Sequence, residues 1–202
     1  MSIDARKMRL GDLVDVRAGY PFRGAIRELA IGGSLVIQMK DVDPVRGVGW
    51  QTAIRADLQG RREPSWLTHE DLLVVARGTR FYACHVSAPP EPAVCGPHLF
   101  HLRVKSPERV HPAFLAWQLN QPPVQRRLYA AAEGSSQLSV RAGELAGIEV
   151  ALLPMEQQSF VLQTVDAAAC ERATLARLAA LRDAELAALA VDIDHLAGLG
   201  GR

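Results

Sequence analysis

The sequence predicts an α+β protein: a mixed, mainly β domain over residues 1–153, followed by one long C-terminal coiled-coil helix over 154–197. Short apolar or alternating runs, each closed by Gly or Pro, recur through the first part of the chain. From Met155 to Ala197 there is neither proline nor glycine, so the texture changes abruptly to that of a helix. No Gly-rich strand-to-helix phosphate loop interrupts the first part, which argues against a nucleotide-binding parallel sheet.

Taken in order, "LVDVRAG" reads as a strand ending in a glycine turn, and "SLVIQMKDV" alternates Leu35, Ile37 and Met39 on one face. "DLLVVARG" has the continuous apolar run of a buried strand, closed by Gly78. "RFYACHVSA" and "HLFHLRVKS" follow. In the latter, Leu99, His101 and Arg103 face one way and Phe100, Leu102 and Val104 the other. A helix opens around Pro112 and stops at Pro122-Pro123, and a second carries "PVQRRLYAAAE" to the neighbourhood of Gly134. "IEVALLP" is the last strand. Pro154 then suits the first turn of a helix, where its missing N–H has no partner to lose, and Glu156 suits the positive end of the dipole.

Within the long helix, Val161, Val165, Ala168, Arg172, Leu175, Ala179, Arg182, Leu186 and Leu189 fall on alternating four- and three-residue steps, the seam of a coiled coil. A helix of ~40 residues is about 60 Å long, too long to pack wholly on so small a domain. The seam therefore predicts a partner helix, and a second copy of the same chain gives a two-fold homodimer. Arg172 and Arg182 on the seam would face Glu171, Asp183 or Glu185 in an antiparallel pair.

Half of the 202 residues are apolar, enough to bury a core. No run approaches the length of a membrane span, and the N-terminus has no apolar h-region, so a cytoplasmic protein is expected. Three widely spaced cysteines, Cys84, Cys95 and Cys170, suit reduced thiols. Residues 1–155 carry 19 Lys and Arg against 15 Asp and Glu, +4, and residues 156–202 carry 4 against 7, −3. A mildly basic domain with an acidic helix is compatible with nucleic-acid binding.

Cys84-His85 with Cys95, His98 and His101 has the ligand types of a zinc site, but no CxxC pair is present and strand alternation sends neighbouring ligands to opposite faces. Buried cysteines and polar-face histidines are the plainer reading; no metal and no cofactor are expected. Asn120-Gln121-Pro122-Pro123 is a helix stop, and no nucleophile elbow, HExxH or nuclease carboxylate set occurs. The chain is expected to be non-catalytic. What remains are polar, basic loops: "GYPFRG" with Arg23, "ARGTRFY" with Arg77, Arg80 and Tyr82, and "EGSSQLS" with Ser135, Ser136 and Gln137, near Arg126 in sequence. Arginine binds guanine edges bidentately, glutamine reads adenine, and serine holds phosphate.

In their order, these segments resemble one half of a type I restriction–modification specificity (S) subunit. The resemblance runs from "RLGDLVDVRAGYPFRG" through "WLTHEDLLVVARGTRFYACHV" to "AAEGSSQLSVRAGELAGIEVALLPMEQQSFVLQTVDAA", where a Gly-Ser-x-Gln loop, a short strand and a Pro-x-Glu-Gln helix start succeed one another. It implies a target-recognition domain that reads half of a bipartite site in double-stranded DNA, then a spacer helix. Such subunits usually carry two of each; this chain has one. It also implies a methyltransferase (M) subunit and a restriction (R) subunit as partners, with the chemistry belonging to them. The DNA face is then expected at Arg23, Lys40, Arg77, Arg80, Tyr82, Arg126, Ser135, Ser136 and Gln137. The other readings are a free-standing dimeric DNA-binding regulator or phage-defence accessory without a methyltransferase, a small zinc enzyme on Cys95, His98 and His101, and a coiled-coil adaptor whose front domain binds protein.

Overall fold

The computed structural model describes residues 4–59, 63–134 and 137–198. The strands are β1 (Arg6–Arg9), β2 (Val14–Ala18), β3 (Ser34–Ile37), β4 (Val42–Asp43), β5 (Gly47–Val48), β6 (Ile54–Ala56), β7 (Asp71–Val75), β8 (Tyr82–His85), β9 (Ala93–Cys95), β10 (Leu99–Val104) and β11 (Glu149–Leu152). The helices are α1 (Leu10–Leu13), α2 (Pro112–Leu119), α3 (Pro122–Ala131), α4 (Ala142–Gly147) and α5 (Met155–Leu196). This is a mixed α+β, strand-rich region followed by one long helix. The chain divides into two compact units, Met1–Ser159 and Phe160–Arg202.

The first unit is built around β7. An antiparallel sheet runs β2-β10-β7-β8, and all five residues of β7 are buried. Leu72 and Val74 pack with Leu102 and Val104 of β10 against Leu115, Leu119, Leu128 and Leu145 of the helices. Leu73 and Val75 point the other way, onto Leu35 and Ile37 of β3 and Ala93 and Cys95 of β9. A strand covered on both faces has no solvent side, which is why "LLVV" reads as an unbroken apolar run. Strand β10 keeps the expected alternation: Phe100, Leu102 and Val104 face the helices, while Leu99 joins the opposite core.

Strand β3 pairs antiparallel with β6 and parallel with β9. It ends at Ile37, and Met39 sits in a short 3-10 turn. Leu35 and Ile37 share a face as expected, but Val36 is buried too, in a third cluster with Ile54, Ala56 and Val94, flanked by Tyr20 and Phe22. Gly19 lies where two backbones cross. A Cβ there would fall 1.8 Å from the Gly96 carbonyl oxygen, and the Gly19 and Tyr20 N–H groups donate to the Leu99 and Cys95 carbonyls. The glycine that the sequence presents as a turn is required for close approach.

Helices α2 and α3 begin at Pro112 and Pro122, as the prolines predict. Asn120, between them, does more than stop a helix. Its amide donates to the Ala83 carbonyl at 2.7 Å and accepts from the Ala83 N–H at 2.8 Å, closing β8 as a neighbouring strand would. Gln158, in the first turn of α5, is fully buried. It accepts from the His111 N–H and donates to the Arg109 and Leu153 carbonyls at 2.7–2.8 Å.

Helix α5 is 42 residues long. Leu175, Leu186 and Leu189 are each more than half exposed, and the four- and three-residue steps continue to the exposed Ile193 and Leu196. Arg182 pairs with Glu185 of its own helix at 2.7 Å. Leu178 and Leu181, off the seam, are exposed as well. Among the described residues no helix is long and apolar enough to cross a membrane.

Candidate nucleic-acid interface

Residues 76–78 and 138–140 run antiparallel. The Val140 N–H donates to the Ala76 carbonyl and the Gly78 N–H to the Leu138 carbonyl, both at 2.9 Å. Glu133 and Ser139 exchange two backbone hydrogen bonds and close the loop between them. At Gly134, with φ of +118°, a Cβ would lie 2.4 Å from the Gln137 carbonyl oxygen, so the loop needs glycine twice over. Residues 76–78 and 137–140, far apart in sequence, thus lie side by side.

On that surface Arg77 Nε donates to Gln137 Oε1 at 3.0 Å, and Arg77 Nη1 lies 2.9 Å from His98 Nδ1. Two of the residues expected at the DNA face are therefore in direct contact. The Tyr129 hydroxyl donates to the Thr79 carbonyl at 3.0 Å, and its ring packs on Phe81 with centroids 4.7 Å apart, which braces the turn that carries Arg80.

Arg80 and Tyr82 share a cleft of about 720 Å³ with Asp43, Gln125 and Tyr129. The Tyr82 hydroxyl donates to the Met39 carbonyl, next to the exposed Lys40. Burial, with Asp43 nearby, raises the Tyr82 phenol above its ordinary pKa and keeps it a neutral donor. Arg23 lies apart from these, in a cleft of about 190 Å³ with Arg27 and the edge-to-face pair Tyr20 and Phe22. Arg126 is exposed on α3. Ser135 and Ser136 lie outside the described residues. Of the residues expected at the helix seam, Val161, Val165 and Ala168 are partly exposed, and Arg172, Leu175, Ala179, Arg182, Leu186 and Leu189 are exposed.

The sequence places His98 and His101 among polar-face histidines. The structure corrects this for His101, which is 1% exposed. Its Nδ1 meets Ser65 Oγ at 3.1 Å and its Nε2 lies 2.9 Å from Asp71 Oδ2, out of line for a regular hydrogen bond. Asp71 is fully buried and accepts from Arg103 Nε and Nη2 and from the Thr68 N–H, each at 2.7 Å. Burial works against its charge, but the Arg103 guanidinium, then His101 and Thr68, outweigh it and hold the Asp71 carboxyl well below the usual carboxylate range.

Ser65, His101 and Asp71 stand in the order of a hydrolase triad. However, the carboxylate charge is already engaged bidentately by Arg103, and Ser65 Oγ also accepts from Arg17 at 3.0 Å. The set is a structural network that ties the residue 65–68 segment to β7 and β10. Burial pushes the Cys84 thiol up to about 12 and Cys95 higher still, so both are inert thiols. Among the described residues no group of three His, Cys, Asp or Glu could hold a metal ion.

Sequence reasoning missed His98 as a partner of Arg77, and Tyr129 as a brace. Tyr129 carried a readable signal, an aromatic on the helix that precedes a predicted loop. His98 carried none, because its role depends on a left-handed backbone that glycine adopts far more readily than histidine.

No family model matches this sequence, and no curated protein does. Solved structures match in fold. The S subunit of a type I restriction–modification system from M. genitalium matches with a TM-score of 0.53 at 16% identity, over 82% of this chain and 39% of its own. The HsdS subunit from Thermoanaerobacter tengcongensis matches with 0.59 at 17%, over 86% and 39%. A chain from a type I R-M system, solved in connection with complex assembly and conformational transition, matches with 0.62 at 18%, over 94% and 44%. At such identities the likeness is one of fold, and the chain spans about two fifths of the length of these relatives.

Proposed function

We propose that the chain is a sequence-specific DNA-recognition subunit of a type I restriction–modification system, in a half-length form. The first unit reads one half of a bipartite site. The helix pairs with that of a second copy, which sets the distance between two readers and so the half-site spacing. The methyltransferase and restriction subunits dock on this scaffold and supply the bond chemistry. The carrying observation is the combination, in one chain, of an S-subunit-like fold with a 42-residue helix whose Leu175, Leu186 and Leu189 are more than half exposed. A narrow apolar stripe of that length is stable in water only when another helix covers it.

Light scattering coupled to chromatography tests the pairing on the full chain and on the double variant Leu175→Asp with Leu186→Asp. The expected result is a native dimer at micromolar concentration and a monomeric variant that keeps its strand-rich fold. A native monomer refutes self-pairing. Recovery of a methyltransferase with the tagged native chain from its own cells separates the specificity subunit from a free-standing regulator, which would bring down none.

A further inference from the structure

Among the described residues, His98 is the one non-glycine with a positive φ, +69°. Histidine in the left-handed region is strained, and such strain persists where the surroundings enforce it. Here the strained residue turns its ring onto a functional side chain, with Nδ1 2.9 Å from Arg77 Nη1. A guanidinium can only donate, so this contact requires the neutral tautomer with its proton on Nε2 and a lone pair on Nδ1. On the other side Gln137 Oε1 accepts from Arg77 Nε. Among the described residues two of the five guanidinium N–H groups have partners, which leaves three, all on Nη1 and Nη2. At Gly78, beside Arg77, a Cβ would meet no atom of the described residues within 4 Å.

We infer that His98 and Gln137 are positioning residues that hold Arg77 so that its free Nη edge reads the O6/N7 edge of one guanine in each half-site. This rests on the DNA-recognition reading above and adds to it the base, the reading atoms and the residue that aims them. An unclamped arginine on an exposed turn samples many rotamers, so its bidentate contact forms at a higher entropic cost and discriminates less. The clamp fixes the fork before DNA arrives.

The test selects binding sites from a random-sequence duplex library with the native full chain and with three variants, then measures affinity for the selected duplex and for its G-to-A counterpart. The native chain should enrich an invariant guanine and prefer it by about tenfold or more, as a good bidentate contact does. His98→Asn should keep the preference, because asparagine tolerates a left-handed backbone and places Oδ1 where Nδ1 accepts. His98→Gly relieves the backbone but removes the acceptor. It should drop the guanine preference below about threefold while the circular dichroism of the chain stays native. Arg77→Ala should abolish the preference. If the native chain enriches no sequence, the DNA-recognition reading itself fails. If it enriches a site whose guanine preference His98→Gly leaves intact, recognition stands and the positioning role of His98 is overturned.

Discussion

Asp71→Asn leaves the shape of the side chain almost unchanged and removes the charge at the centre of the buried network. The carboxylate is fully buried and receives two 2.7 Å bonds from Arg103 and one from the Thr68 N–H. An amide can accept on one oxygen only. If its oxygen keeps Arg103 Nη2 and Thr68, its NH2 faces Arg103 Nε, donor against donor. The least costly arrangement thus loses one charge-assisted bond, about 1.5–3 kcal/mol, and strands a guanidinium. Breaking a buried ion pair costs about 3–5 kcal/mol; Arg103 is 36% exposed, and water screens part of it, so the low end, ~3 kcal/mol, is expected. For a unit of this size that is a fall in Tm of about 6–12 °C. The native carboxyl is depressed, so its stabilisation is complete above the ordinary carboxylate pKa of about 3.9 and is lost as pH falls through the lower folded value. A protonated Asp71 resembles the variant, so the gap between the two proteins should narrow on acidification below pH ~4. Thermal unfolding followed by tryptophan fluorescence measures it, since Trp50, Trp66 and Trp117 all lie in the first unit. A Tm difference under about 3 °C at pH 7, or a gap that stays constant down to pH 3, refutes this account of the network.

Gln158→Ala removes a buried side chain that satisfies one N–H and two carbonyls. Stranding those groups should lower stability by about 3 kcal/mol in the same unfolding assay, and an unchanged midpoint would show that the first turn of α5 is held by other means. Gly19→Ala forces a methyl to within 1.8 Å of a carbonyl oxygen and should cost at least about 2 kcal/mol. Gly24→Ala has a left-handed φ of +83° but open space and should cost only about 1, so equal losses would contradict the crossing at Gly19. Cys84 and Cys95 are buried and held as thiols while Cys170 is exposed on α5. A thiol-reactive dye should therefore label about one equivalent in the native chain and three after denaturation; two or more in the native chain would refute the burial.

The elements legible in the sequence are those whose signal is local. The apolar run of β7, the prolines that open α2, α3 and α5, and the stepping of the long helix each need only a window of neighbouring residues. The elements that were not legible depend on distant partners. β1, "RKMR", has almost no apolar content and is a strand because Lys7 to Arg9 pair with Glu149 to Ala151. β9 is three residues long and holds its place through a parallel ladder with β3. α4, "AGELAG", carries two glycines and is helical because Leu145 is buried in the main core. In each case tertiary packing overrides weak local propensity.

The candidate site divides along the same line. Residue type in a glycine-bracketed loop is what made Arg77 and Gln137 candidates, because arginine and amide side chains are what base edges require. That they meet was not legible, since the contact is made by two backbone hydrogen bonds between segments about sixty residues apart. His98 belongs to the same surface, but by type it offered only a metal ligand, which the spacing disfavours, or a polar-face histidine, and neither names Arg77 as its partner. Its actual partner follows from one dihedral angle. The register that sets Leu99 opposite Val75 would, with an extended backbone, carry the alternation of β10 on and set His98 opposite Ala76, on the other face from Arg77. The left-handed turn breaks that alternation at the start of the strand, where Leu99 must still enter the core. A site whose residue types are local and whose geometry is non-local can change by loop substitution while the core beneath it stays fixed.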